Sequence, residues 1–241
     1  MNLVFSMTSS SKRSILKIVS ILYIISACSC LTSFTQTTAD HCQVYTMGNT
    51  EEHKIALTFD DGPHSEKTPL ILDVLRDNNV KATFFIVGEN VSGNEGIVER
   101  IISEGHEIGN HTFRHKYLFK VDRRVMELEI DLCDDEIFNY SEYSATLFRP
   151  PGGIYNDVLS SVCNERGYDM VLWSIDTRDW AGTSAEDIEK EIMSNVEDGS
   201  IILMHDYVCG ESYTAEALKS VIPKLKELGY SFVTVSELIG D

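Results

Sequence analysis

From Lys54 onward, short apolar runs alternate with amphipathic stretches, and this alternation limits the fold more than any single residue does. The strand candidates are residues 55–59, 81–87, 106–109, 146–149, 170–175, 200–204 and 231–235. Between them lie helical patterns such as 68–78, where Leu70, Leu72, Val74 and Leu75 interleave with Asp73, Arg76 and Asp77. Gly105, Gly167 and Gly229 each stand where a helix can stop before the next strand begins. Such a βα alternation predicts an α/β fold with a parallel sheet inside and helices outside. The polar motifs fall at the C-terminal ends of the strands, which points to the mouth of a distorted (β/α) barrel of about seven parallel strands.

The chain has 241 residues and 43% hydrophobic content, enough for one substantial core and one catalytic domain, expected over residues 54–241. Residues 1–27 carry Lys12, Arg13 and Lys17, then an apolar run over 18–25 and the small residues Ser26 and Ala27. This pattern reads as an export signal, because its run is shorter than the roughly 20 residues a membrane crossing needs. Ile25-Ser26-Ala27-Cys28 resembles a bacterial lipoprotein signal with Cys28 as the lipid carrier. The alternative is a chance cysteine beside an ordinary cleavage site. Residues 28–53 are rich in Ser and Thr and read as a tether. The expected location is extracellular or cell-surface, with the membrane reached only through an N-terminal lipid or signal anchor.

Without residues 1–27, 17 basic residues face 38 acidic ones, a net charge of −21. Such a surface repels nucleic acid and other polyanions at long range, whereas neutral glycans are unaffected. The six cysteines show no C-x-x-C spacing, so a zinc-finger reading has no support. Export permits disulfides, but the sequence does not reveal a pairing, and unpaired core or loop thiols fit equally well.

Five blocks carry chemistry. Thr58-Phe59-Asp60-Asp61-Gly62-Pro63 ends a strand with two adjacent carboxylates and a turn. Side chains alternate in direction along a strand, so one carboxylate can bind a cation while its neighbour takes a proton. His111 and His115 stand four apart and would share a face on a helical turn, able to grip one divalent metal. Arg149 meets Pro150-Pro151-Gly152-Gly153, where glycine lets a substrate oxygen approach the main chain, and Arg149 would hold a carboxylate ionised. Asp179-Trp180 and Leu203-Met204-His205 end later strands at the same rim. A carboxylate facing His205 would orient it and raise its pKa, making a proton donor. Trp180 fits either core packing or a pocket wall.

With these blocks in this order, the chain from about Lys54 to Leu238 resembles the polysaccharide deacetylase family, carbohydrate esterase family 4. The resemblance implies a distorted barrel, with Asp60 as general base and Asp61, His111 and His115 as metal ligands. It further implies that Arg149 and Asp179 support catalysis, that His205 is the acid, and that Gly152, Trp180 and Leu203 meet the substrate. Where this chain has Gly152 the family usually has an aromatic residue, so a pocket wall is missing; the backbone N–H that binds the oxyanion is retained. Zinc is the expected cation by ligand type, and Co2+, Ni2+ or Mn2+ would also be accepted.

The implied activity is removal of N-acetyl groups from a polysaccharide, N-acetylglucosamine of peptidoglycan or a chitin-like glycan, by a monomeric enzyme. Two other readings are an O-acetyl esterase on xylan or a similar polymer, and a non-catalytic glycan-binding surface protein. A pure binding module would need none of the ionisable positions that the five blocks fill.

Overall fold

The computed structural model describes residues 42–240. The signal expected at 1–27, the Cys28 lipid site and the start of the tether lie outside the described residues. Among these residues nine strands make one sheet: β1 (Val44–Tyr45), β2 (Lys54–Asp60), β3 (Thr83–Ile86), β4 (Glu107–Asn110), β5 (Leu147–Phe148), β6 (Asp169–Val171), β7 (Ile175–Asp176), β8 (Ile201–His205) and β9 (Ser231–Phe232). Their order is β1-β6-β5-β4-β3-β2-β8-β7, with β9 beside the start of β2, and every named pair is parallel. Among the described residues seven helices cover the outside: α1 (Lys67–Asp77), α2 (Glu95–Ser103), α3 (Arg123–Ser141), α4 (Asp157–Glu165), α5 (Ala185–Asn195), α6 (Thr214–Glu227) and α7 (Val235–Ile239).

Period-two alternation sorts the side chains into two layers. Ile55, Leu57 and Phe59 of β2, Phe84 and Ile86 of β3, and Ile202 and Met204 of β8 pack outward against the helices. The alternate residues Ala56, Phe85, Leu147 and Ile201 fill the barrel interior, closed at one end by Val235 and Leu238 of α7. Asp60, Arg149 and His205 continue the inward rows at the opposite end. Strand length and register therefore decide which polar groups meet at the mouth.

The helix stops behave as their glycines predict. At Gly105, Gly167 and Gly229 φ is between 72° and 91°, and the next residue's N–H closes back five residues onto the helix, as His106 does onto Ile101. Asn79 plays the same part after α1, with φ 51°. Cys42, Cys133 and Cys163 are buried, while Cys209 is exposed. Among the described residues no helix is long and apolar enough to cross a membrane.

Two expectations need correction. The fold begins upstream of Lys54: Val44 and Tyr45, inside the expected tether, pair with Met170 and Val171, Cys42 is buried in the cluster around α3 and α4, and Met47 bridges Ser200. The open edge of β6 supplies backbone partners to a segment too short and too mixed in composition to stand out. The run 170–175, expected as one strand, is two. The carbonyls of Val171 and Leu172 turn to the Arg149 guanidinium, and Ser174 N–H then joins Ile201 of β8, carrying the chain across the barrel.

Candidate active site

Asp60 is the last residue of β2 and lies in register with His205 at the end of β8. It is 3% exposed, and its Oδ1 accepts from Arg149 Nη1 at 2.7 Å. Arg149 is fully buried, and all its reach is used. Nη1 also donates to Thr58 Oγ1, Nε and Nη2 donate to the carbonyls of Val171 and Leu172, and the guanidinium lies 4.0 Å from the Phe85 ring centroid. A planar, permanently charged fork can satisfy so many fixed acceptors at once, which lysine could not.

Asp61 follows with φ 76°, and this left-handed turn swings its carboxylate away from Arg149 toward the histidines. The separation of the two carboxylates thus comes from strand alternation plus a backbone reversal. His111 Nε2 is 3.4 Å and His115 Nε2 3.1 Å from Asp61 Oδ1, and the donor atoms of the three residues all lie within 4.8 Å of one another. His111 Nδ1 is held by the Arg149 carbonyl at 2.7 Å, which leaves Nε2 as the inward lone pair. Asp61 Oδ1 is buried with no aligned hydrogen-bond donor. An orphaned carboxylate oxygen facing two imidazole nitrogens fits a divalent cation, and the donor set suits zinc or a neighbouring transition metal. Burial opposes charge on Asp61, yet His111, His115 and His205 together hold its carboxyl below the usual range.

The segment from His111 to His115 is not the helical turn expected from the spacing. Thr112 and His115 have φ of 69° and 50°, and the backbone donors are met from elsewhere. Asn110 Oδ1 takes Thr112 N–H, Thr112 Oγ1 takes Lys116 N–H, and Glu129 of α3 takes Phe113 and Arg114 N–H. The imidazole rings still come within 5.1 Å, centroid to centroid.

Across the mouth, Asp179 grips His205 twice, through Nδ1 at 2.8 Å and through the backbone N–H at 2.8 Å. Thr214 at the start of α6 donates to the same carboxylate at 2.6 Å. Burial works against the imidazolium, but the carboxylates of Asp179, Asp60 and Asp61 together outweigh it and lift the His205 pKa to about 9. Leu203, Gly152 and Trp180 line the cleft with these groups, and Trp180 is 55% exposed, which excludes core packing. All ten residues singled out from sequence converge on this mouth. Sequence reasoning missed Thr58, Tyr117, Trp173, Asp206 and Thr214. Thr58 lay inside a quoted block and Asp206 directly after one, and the others carry no local signal.

The chain belongs to the polysaccharide deacetylase family, whose model matches residues 47–171. The parallel barrel is that of this class of hydrolase. A peptidoglycan-N-acetylglucosamine deacetylase of Bacillus cereus is 44% identical over 190 residues, which cover 78% of this chain and 89% of that protein. The enzyme of the same name from Listeria monocytogenes, PgdA, is 41% identical over 188 residues, 78% of this chain but only 39% of the longer relative. Among solved structures, the Bc1960 peptidoglycan N-acetylglucosamine deacetylase in complex with 4-naphthalen-1-yl-N-oxidanyl-benzamide superimposes with a TM-score of 0.80 at 38% identity, covering 86% of this chain and 96% of that one. A family 4 acetyl xylan esterase from Clostridium thermocellum, in complex with a cobalt ion, gives a TM-score of 0.72 at 36% identity, covering 77% and 89%.

Proposed function

We propose that this chain is an exported, zinc-dependent deacetylase that hydrolyses the N-acetyl group of N-acetylglucosamine in peptidoglycan. One observation carries the reading. A potential metal triad, Asp61, His111 and His115, shares a cleft with a carboxylate held outside it, Asp60, and with a carboxylate-supported imidazole, His205. The high identity to peptidoglycan N-acetylglucosamine deacetylases supports the choice of polymer, and the basic, apolar leader of residues 1–27 supports export to the wall, either free or lipid-anchored at Cys28.

Asp61 and the Nε2 atoms of His111 and His115 would hold the cation. Once bound, it would supply a Lewis acid and bring the pKa of a water from 15.7 toward about 7, the value for zinc. Asp60 takes the water's proton: Arg149 fixes Oδ1, so Oδ2, 3.7 Å from His111 Nε2, is the oxygen left to act as base. The Gly152 N–H would donate to the carbonyl oxygen as charge builds on it. His205 stands protonated with Nδ1 tied to Asp179, so its Nε2 proton is the one available to the departing sugar nitrogen. Leu203 and Trp180 would close the acetyl pocket and keep it dry.

A second hollow adjoins the cleft at the triad. Asp61, His115 and Trp180 line it with Glu89, Asn90, Tyr207 and Val208. Two adjoining hollows suit a substrate longer than a single sugar unit.

Ester hydrolysis on acetylated xylan is the second reading, favoured by the likeness to the acetyl xylan esterase. The experiment is to incubate the full chain with zinc and peptidoglycan, N-acetylglucosamine oligomers or acetylated xylan, and to follow acetate together with the mass of the glycan. Amide loss from peptidoglycan and the oligomers is expected. Acetate from xylan alone would transfer the reading to an esterase, and acetate from none would end it.

A further inference from the structure

Gly152 and Gly153 both have positive φ, 67° and 69°, and each is covered by an aromatic ring from a different part of the chain. A Cβ on Gly152 would stand 2.7 Å from Tyr117 Cε1, and one on Gly153 would stand 2.7 Å from Trp173 Cη2. The Tyr117 ring thus occupies the volume that a side chain at position 152 would claim. We propose that Tyr117 supplies the sugar-binding wall that Gly152 lacks, as the residue that sets the enzyme's preference for a glycan chain over a small acetylated substrate. This inference rests on the deacetylase reading above and names the part of the site that reads the polymer.

Three observations favour this role over packing. Tyr117 is 53% exposed and lines the cleft of about 360 Å³ that also contains Asp60, Gly152 and His205. Its backbone is held on both sides, by the Lys116 N–H on Thr112 Oγ1 and by Leu118, which is 1% exposed within the cluster around α3 and α4. Its ring meets the ring of His115 edge-on, with centroids 5.9 Å apart, so the exposed face stands at a fixed distance from the triad. A half-exposed aromatic on an anchored backbone loses little freedom when a pyranose ring packs on it. Trp180, also exposed, lines the same cleft.

The same geometry makes positions 117 and 152 mutually exclusive. A side chain at 152 must displace the Tyr117 ring, so the two positions are coupled although 35 residues separate them.

The test compares the zinc-loaded full chain with Tyr117→Ala, Tyr117→Phe, Gly152→Ala and the Tyr117→Ala/Gly152→Ala pair. Kinetics are read with N-acetylchitopentaose as the long substrate and 4-nitrophenyl acetate as the small one. Zinc content and calorimetric affinity for N-acetylchitopentaose are measured on every protein. In Tyr117→Ala, KM and Kd for the pentamer should rise about three- to tenfold while KM for the small ester moves far less and zinc stays stoichiometric. Tyr117→Phe should match the parent, because the ring face is what binds. Gly152→Ala should raise KM for the pentamer more in the parent than in the Tyr117→Ala background. Unchanged pentamer affinity in Tyr117→Ala, equal losses on both substrates, loss of zinc, a Phe variant as poor as Ala, or additive effects at the two positions would each overturn the inference. If the parent turns over neither substrate, the deacetylase reading falls on its own. The calorimetric comparison then still decides Tyr117, and equal affinities or no binding at all would overturn it.

Discussion

Asp60 and His205 are register partners on the adjacent parallel strands β2 and β8, and both face inward at the mouth of the barrel. Each is braced from behind by a buried group of opposite character, Asp60 by Arg149 at 2.7 Å and His205 by Asp179 at 2.8 Å. A proton acceptor and a proton donor are thereby placed on two sides of one cleft.

Replacing Asp60 by Asn removes the acceptor without removing a ligand of the proposed metal triad. Turnover should fall roughly 100- to 10,000-fold, the usual contribution of a general base. Zinc stoichiometry, measured by elemental analysis, should be unaltered. Loss of zinc along with activity would move Asp60 into the metal shell.

The pH profile reports His205. A general acid works only while protonated, so kcat/KM should fall as pH rises through the His205 pKa, lifted to about 9 by Asp179 with Asp60 and Asp61. Asp179→Asn removes the largest of the contributions that lift that pKa, so the descending limb should shift to lower pH, with a lower plateau. Rate profiles of parent and variant between pH 5 and 10 check the shift. A limb that does not move would detach His205 from the acid step.

Metal removal tests the triad. Dialysis against a chelator should abolish turnover, and zinc or cobalt should restore it to the parent chain. In Asp61→Ala or His111→Ala, added metal should fail to restore activity at concentrations sufficient for the parent, while circular dichroism stays unchanged. Recovery of either variant at parental metal concentrations would argue against these ligands.

The turn after Asp61 has no space for a methyl group. A Cβ at Gly62 would lie 2.0 Å from Asp206 Oδ2, which already accepts from Thr68 Oγ1 at 2.6 Å. Gly62→Ala should therefore cost about 1–3 kcal/mol of stability by overpacking and lower the melting temperature. Asp206→Ala in the same chain should recover part of that loss, which thermal melts of the single and double variants would show.

Much of the site was legible in the sequence because its chemistry sits in contiguous blocks at strand ends. Asp60 and Asp61, Arg149 and Gly152, and His205 needed only period-two alternation and the turn residues to be placed at one rim. What was not legible depends on partners distant in sequence. The path from His111 to His115 is fixed by Asn110 and by Glu129 of α3, so a four-residue spacing that suits a helix folds instead as a loop. The break between β6 and β7 follows from Arg149, more than 20 residues upstream, claiming the carbonyls of Val171 and Leu172. Strand β1 exists because β6 offers it an edge. Tyr117 follows closely on His115, yet only the fold reveals that its ring stands over Gly152.

A crystal structure of the zinc-soaked protein, with anomalous data collected at the zinc edge, tests the central claim most directly. Expected is one strong peak in contact with Asp61, His111 and His115, at about 2.0–2.2 Å from their oxygen and nitrogen donors, with Asp60 outside the shell and still paired to Arg149. A peak elsewhere in the barrel, or one bound through Asp60 with either histidine turned away, would contradict it.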